Sequence, residues 1–328
     1  MRAVLCKTLD GVDALTLETI DPPKPGAGEV LIRVHVAALN FPDLLIVEGR
    51  YQVKPPLPFV PGMEMAGVVH GVGEGVEGLR IGDRVSAVVT WGAFAEFAIA
   101  HAERVVALPD TMDFGVGAAL GLAYQTVWHA LKSRARLRKG ETLLVLGASG
   151  GVGLAAVQLG RQVGATVIAA ASSPEKLDVC LAQGADHAIN YRDSDLRKEI
   201  QAIVGSNGVD VVLDPVGGAY AEPALRSLGW RGRYLVVGFA EGTVPKLPLN
   251  LALLSERDIM GVYVGEFFRR EPQARLDLAR ELTGFVAAGH FAPVISASFP
   301  LARYGEAMKA LQGRVATGKI LLTMSAMA

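Results

Sequence analysis

The sequence predicts an α/β protein in which a β-rich first third precedes a doubly wound parallel sheet. Three observations predict it. From Glu141 onward, short apolar runs alternate with helical stretches, the order that builds a parallel sheet with helical crossovers. One of those runs, Thr142–Leu146, passes straight into a glycine-rich turn and then a helix. Before residue 111 the apolar runs are short and are separated by Gly- and Pro-rich turns, as in a barrel or sandwich.

The elements follow in order. Cys6 lies on an expected first strand. Pro22, Pro23 and Pro25 forbid regular structure ahead of Glu29–Leu39. In that run Val30, Ile32, Val34 and Val36 alternate as on a half-buried strand. Further strands are expected at Ala66–Val69, Val85–Val89 and Phe94–Ala100, and Ile81-Gly82-Asp83-Arg84 fits a tight reversal before the second. Ala118–Lys132 reads as helical. Thr142–Leu146 is a continuous apolar run, as in a buried parallel strand, followed by a helix over Leu154–Val163 and a strand over Ala165–Ala171. A helix over Glu175–Gln183 has Ser172 or Ser173 as its N-cap and Pro174 near its first position. Later strands are expected at Val209–Leu213, Tyr234–Val237 and Ile259–Val264. The tail adds helices near Arg275–Ala288 and Tyr304–Gln312 and a last strand, Lys319–Thr323.

Composition narrows the class. A chain of 328 residues suits two domains. The 32 basic and 33 acidic residues nearly cancel, so no overall field favours nucleic acid or an anionic membrane. Two distant cysteines, Cys6 and Cys180, exclude a disulfide framework and point to a reducing cytoplasm. The first residues form too short an apolar run for a signal peptide, and no uninterrupted stretch reaches transmembrane length.

The turn Gly147-Ala148-Ser149-Gly150-Gly151-Val152-Gly153 carries the first chemistry. Glycines let the backbone approach a pyrophosphate, whose charge meets the N–H groups and dipole at the helix start. A following strand at βαβ spacing turns a weak motif into a dinucleotide site, in which Ser149, Gly150, Gly151 and Val152 cradle the pyrophosphate. NAD sites carry an acidic residue about 20 residues on, against the ribose 2′-hydroxyl. Here the second strand ends Ala171-Ser172-Ser173, with Lys176 one turn into the next helix. Hydroxyls and an ammonium suit a 2′-phosphate, so the expected cofactor is NADPH. Glu175 argues the other way, but behind Pro174 it complements the positive helix end.

Several segments share their order with one family. They are Leu39-Asn40-Phe41-Pro42-Asp43, Pro61 to Val69, Gly82-Asp83-Arg84-Val85, the glycine turn, Ala188-Ile189-Asn190-Tyr191, Asp214-Pro215-Val216-Gly217-Gly218 and Gly318-Lys319-Ile320. Over nearly its full length the chain resembles a zinc-free member of the medium-chain dehydrogenase/reductase superfamily, in the NADPH:quinone oxidoreductase (zeta-crystallin-like) branch. The resemblance implies a doubly wound parallel Rossmann sheet plus a GroES-like β-rich catalytic domain completed by the C-terminal tail. The expected limits are 1–118 for the catalytic domain, 119–260 for the nucleotide domain and 261–328 for the returning segment.

In zinc-dependent members Cys and His side chains hold a catalytic zinc. Asn40 stands at the matching Cys position and Met63 at the matching His position, so no metal is expected. Without a Lewis acid, the remaining chemistry is hydride transfer from NADPH to an electron-poor acceptor: a quinone, or a 2-alkenal or enoyl thioester as the alternative. A non-catalytic NADPH-binding protein is a third reading. Tyr51 matches a tyrosine that related enoyl reductases place in the active site, where a phenol donates to the acceptor oxygen or relays a proton. Its other reading is a surface aromatic on a Pro-rich loop. Asn40 is expected to orient cofactor or substrate without proton chemistry. Asp43 is read as a helix-start cap, and Glu64 as a structural carboxylate. The resemblance places Ser172, Ser173, Lys176 and Tyr191 around the 2′-phosphate and Thr126, Gly238, Phe239 and Val264 near the nicotinamide. It also directs Lys319, and by one reading Arg314, to the cofactor. The segment Met260–Val264 resembles an edge strand through which relatives pair, so a homodimer acting on a small molecule is expected.

Overall fold

The computed structural model describes residues 1–314 and 316–324. In chain order it forms β1 (Arg2–Leu5), β2 (Thr16–Thr19), β3 (Glu29–Ala38), α1 (Phe41–Val47), β4 (Glu64–Val72), β5 (Arg84–Val88), β6 (Phe97–His101) and β7 (Val105–Ala107). Helices α2 (Phe114–Ala119) and α3 (Leu122–Trp128) follow. Next come β8 (Thr142–Leu146), α4 (Gly151–Val163), β9 (Thr166–Ala171), α5 (Pro174–Ala182), β10 (His187–Asn190), α6 (Leu196–Val204) and β11 (Val209–Asp214). Then come α7 (Ala221–Arg226), β12 (Leu228–Val236), α8 (Asn250–Leu253), β13 (Asp258–Gly261), α9 (Val264–Arg270), α10 (Pro272–Ala287), β14 (Ile295–Pro300), α11 (Tyr304–Gln312) and β15 (Lys319–Thr323).

The chain divides into two compact units, Met1–Gln125 with Phe268–Ala328, and Thr126–Phe267. Each cut lies seven residues beyond the limit expected from the sequence. The composition changes at residue 111, but helices α3 and α9 carry the chain across both cuts, so contacts divide inside helices.

In the first unit β1 pairs with β2, and the other described strands form a sheet ordered β14-β15-β3-β4-β5-β7, with β6 also paired to β3. The core belongs to the alternating side chains of β3, with Val30, Ile32 and Val34 buried. β15 returns from the tail to pair antiparallel with β3, Leu321 opposite Ala38. Helix α10 is tied down by Arg275, whose buried guanidinium donates to the carbonyls of Glu103 and Arg104, both at 3.0 Å.

The second unit is a parallel sheet ordered β10-β9-β8-β11-β12-β13 among the described residues. Leu143, Leu144, Val145 and Leu146 of β8 are fully buried, as a central parallel strand covered on both faces requires. Successive strands add outward from β8 through β9 to β10, then resume on its other side at β11. That reversal is a topological switch point at the carboxyl ends of β8 and β11. One expected strand is corrected. β13 stops at Gly261, because the Tyr263 carbonyl already accepts the Phe267 N–H and Val264 opens α9. Among the described residues, no helix is long and apolar enough to cross a membrane.

Candidate active site

Register assembles a polar node in the first unit. Ala38 of β3 lies opposite Glu64 of β4, and the Leu39 N–H bonds to Ile320 of β15. Three neighbouring strand ends therefore bring Asn40, Glu64 and Lys319 together from positions up to 279 residues apart. The Lys319 ammonium donates to Glu64 Oε1 at 2.6 Å, Asn40 Oδ1 at 2.7 Å and the Leu39 carbonyl at 2.8 Å. Asn40 Nδ2 donates to Glu64 Oε1 at 2.7 Å and to the Ala38 carbonyl at 3.3 Å. Glu64 Oε2 accepts the Leu122 N–H. Gly121 leaves room for that oxygen, since a Cβ there would overlap it. All three side chains are buried, which a lone charge would not tolerate.

These bonds decide what each group has left. An ammonium has three protons, and Lys319 gives all three to protein oxygens. Lys319, which the resemblance directs to the cofactor, fixes Asn40 and Glu64. Asn40 has committed both amide protons, so it has none left to donate.

Asn40 also caps α1, and its N–H donates to Asp43 Oδ2 at 2.8 Å. Asp43 is thus the reach-back residue of a capping box, with Asn40 as the N-cap. Its other oxygen is buried without a hydrogen-bond partner among the described residues. Burial, opposed by the Asn40 N–H and the Lys319 charge, pushes its carboxyl up to about 7. Tyr51 follows the far end of α1, half-buried against the first core. The two residues expected to act on the acceptor thus flank one helix, about 10 Å long at 1.5 Å per residue.

In the second unit, parallel strands put every expected cofactor residue beyond β8 on one edge of the sheet, at strand carboxyl ends. The glycine turn leaves β8 with Gly147 at φ 58° and its carbonyl accepting the Gly150 N–H at 3.1 Å. A Cβ on Gly153 would overlap the Gly147 carbonyl, so the first turn of α4 needs glycine there. Gly150 caps α4 with no side-chain hydrogen bond, which leaves the first helical N–H groups to a pyrophosphate. Ser149 is buried beside them. The residues fit a dinucleotide.

Beyond β9, Lys176 Nζ donates to Ser172 Oγ at 3.3 Å, and the Tyr191 N–H bonds to the Ala171 carbonyl at 3.1 Å. Ser172, Lys176 and Tyr191 therefore meet at one strand tip. Ser173, the N-cap of α5, bonds the Glu175 carboxylate, which this bond and the helix-start N–H hold below the usual range. Gly238 and Phe239 follow β12, and Val264 follows β13. Thr126 is buried on α3, apart from these strand ends in sequence. Arg314 lies in the turn after α11.

Sequence reasoning missed Asp214, which sets the loop after β11. Its buried carboxylate accepts the Tyr234 hydroxyl at 2.5 Å and the N–H groups of Val216 and Gly217 at 2.7 and 2.8 Å. This holds Val216 against Gly147. A carboxylate ending an apolar strand was the available signal. The same signal marks Glu64 and Lys319, opposite charges that open two apolar strands.

A family profile described as an alcohol dehydrogenase GroES-like domain matches residues 26–110, and one described as a zinc-binding dehydrogenase matches residues 151–281. The chain is 37% identical over 324 residues to quinone oxidoreductase-like protein 2 of Rattus norvegicus, covering 98% of this chain and 92% of that one. The chain belongs to the quinone oxidoreductase branch of the medium-chain dehydrogenase/reductase superfamily. Human quinone oxidoreductase is 35% identical over 328 residues, covering 99% of this chain and 98% of its own. The Escherichia coli quinone oxidoreductase, solved in complex with NADPH, superposes with a TM-score of 0.92 at 28% identity, covering 98% of this chain and all of that one. The profile name that mentions zinc does not fit the donors of this chain. Asn40 offers an amide, Met63 a thioether inside the apolar core, and Glu64 a carboxylate already held by an ammonium.

Proposed function

We propose that this chain is an NADPH-dependent, zinc-independent reductase of quinones or similar electron-poor, carbonyl-conjugated acceptors. The observation that carries the reading is the Asn40–Glu64–Lys319 node. A buried ammonium occupies the carboxylate and amide where zinc-dependent relatives keep metal ligands, so the chain supplies no Lewis acid for alkoxide chemistry. An acceptor that is already electron-poor needs none. Bound NADPH supplies the hydride. Ser149 to Val152 anchor the pyrophosphate, and Ser172, Ser173, Lys176 and Tyr191 recognise the 2′-phosphate. Thr126, Gly238, Phe239 and Val264 shape the nicotinamide end. Tyr51 donates a hydrogen bond or a proton to the acceptor oxygen, and Asn40, held by Lys319, orients the reactants.

A homodimer is part of the proposal. Leu249, Leu253 and Leu254 are exposed at 75%, 78% and 71%. They sit around α8, next to β13, which pairs only with β12 among the described residues. A second copy of this chain would cover both the leucines and the strand edge.

The test follows NADPH oxidation with 9,10-phenanthrenequinone, a 2-alkenal and crotonyl-CoA. Fastest turnover on the quinone is expected, and activity confined to acyl-CoA would replace the quinone by an enoyl thioester. NADPH binding without turnover on any acceptor would defeat the catalytic reading. Tyr51→Phe should lower kcat/KM about a hundredfold or more if the phenol transfers a proton, as general-acid groups do; an unchanged value removes Tyr51 from the mechanism.

A further inference from the structure

The sheet of the second unit has an opposite, amino edge, and a hollow there gathers positive charge. One face of α6, carrying Arg197, Ile200, Gln201 and Val204, lines it at helical spacing. Arg226, the last residue of α7, and Arg257, just ahead of β13, complete the wall. The cavity measures about 160 Å³, the share of roughly five water molecules at ~30 Å³ each. That is room for a tetrahedral oxyanion with a small organic group or water beside it.

The three guanidinium groups are unequally neutralised. Arg226 pairs with Glu222 at 2.6 Å. Arg257 is held only by backbone carbonyls: Nη2 donates to Leu228 at 2.5 Å and Arg226 at 3.4 Å, and Nη1 to Leu251 at 3.3 Å. Its buried Nε–H has no acceptor among the described residues. Carbonyl dipoles orient a guanidinium without cancelling its charge. Arg197 is exposed, and its side chain enters no ion pair among the described residues. Burial, then the like charges of Arg197 and Arg226, lower the pKa of Arg257, so the groups repel one another across the hollow. Asp210, in the adjoining depression, is turned to the Thr142 N–H.

The geometry points to a second anion site in this hollow, taking the phosphate of inorganic phosphate or a small phosphomonoester, at the edge of the sheet opposite the dinucleotide turn. Planar guanidinium forks match such oxyanions in pairs, and a dianion would relieve the mutual repulsion of the three arginines.

The test uses the chain saturated with NADPH, so that phosphate cannot act through the glycine turn. Inorganic phosphate, glycerol phosphate and chloride are titrated at constant ionic strength while thermal unfolding is followed. Phosphate should raise Tm saturably, and chloride should not. Arg197→Gln should weaken the response about tenfold, the loss of one charge-assisted bond, with NADPH binding unchanged. Arg257→Met should weaken it further. Since Arg257 also holds three carbonyls, the exposed Arg197 decides the matter if Arg257→Met fails to fold. Equal responses to glycerol phosphate and phosphate identify a phosphomonoester site, and a response to phosphate alone identifies the free ion. An Arg197→Gln protein that responds like the parent overturns the proposal. So does one that shifts the oligomeric state without changing the phosphate response, because the arginines would then serve a second copy.

Discussion

The glycine turn of the second unit and the polar node of the first do comparable work in different ways. The turn is local: residues 147 to 153 contain the whole device, and a backbone without side chains leaves N–H groups open to an anion. The node is non-local. Residues 40, 64 and 319 meet only because β15, β3 and β4 are neighbours, and charge is cancelled inside the protein. An open device binds; a closed one positions. Stability and affinity should therefore respond to substitutions in opposite ways at the two places.

The largest effect is expected at the node. Lys319→Met leaves Glu64 buried and unpaired, which costs about 3–5 kcal/mol of unfolding free energy. Denaturant unfolding of the single variant and of Lys319→Met with Glu64→Gln checks it. The second change neutralises the stranded carboxylate and should recover part of the loss. A single-variant cost below about 1 kcal/mol, the range of exposed pairs, would show that the node is not closed to water.

This contrast also explains what the sequence made legible. The turn, β8 and the strand tip at Ser172 lie within thirty residues of one another, so periodicity and spacing suffice to find them. At the node, composition alone marks Asn40 and Glu64 as polar residues at the ends of apolar runs. Their partner sits 255 residues beyond Glu64, and only strand order shows it. The resemblance directs Lys319 to the cofactor, and composition gives no sign of its bond to Glu64. The strand expected to reach Val264 failed for a related reason: an apolar run does not reveal where a carbonyl begins to accept helical N–H groups. Short helices such as α1 and α7, each below two turns of amphipathic pattern, carry no periodic signal.

The open device is sharpened by Lys176→Ala. Loss of one charge-assisted bond to the 2′-phosphate should raise the Kd for NADPH about tenfold or more and leave NADH unchanged. Stability should barely move: Lys176 is half-buried, and its bond to the uncharged Ser172 hydroxyl is long, at 3.3 Å. Equal weakening of both cofactors would mean that the β9 tip does not read the phosphate.

Asp43→Asn tests whether the closed node stores a proton. Asp43 has one oxygen without a hydrogen-bond partner among the described residues, and its carboxyl is pushed up to about 7 by burial, whereas an unfolded aspartate titrates near ~3.9. A carboxyl with a raised folded pKa holds its proton longer in the native state than in the unfolded one. Its contribution to stability is fully present below about pH 4 and is lost as pH rises towards 7. Lys319 and Glu64 are the charged groups that face it, with Lys319 favouring ionisation and Glu64 opposing it. Asp43→Asn keeps an oxygen for the Asn40 N–H and cannot ionise. The variant should therefore show a flatter dependence of unfolding free energy on pH between 4 and 7 than the parent, and the two curves should be furthest apart above pH 7. Parallel curves across that window would mean that Asp43 is already ionised in the folded protein, paired with water or with Lys319, and that the node is as open on its Asp43 side as the glycine turn.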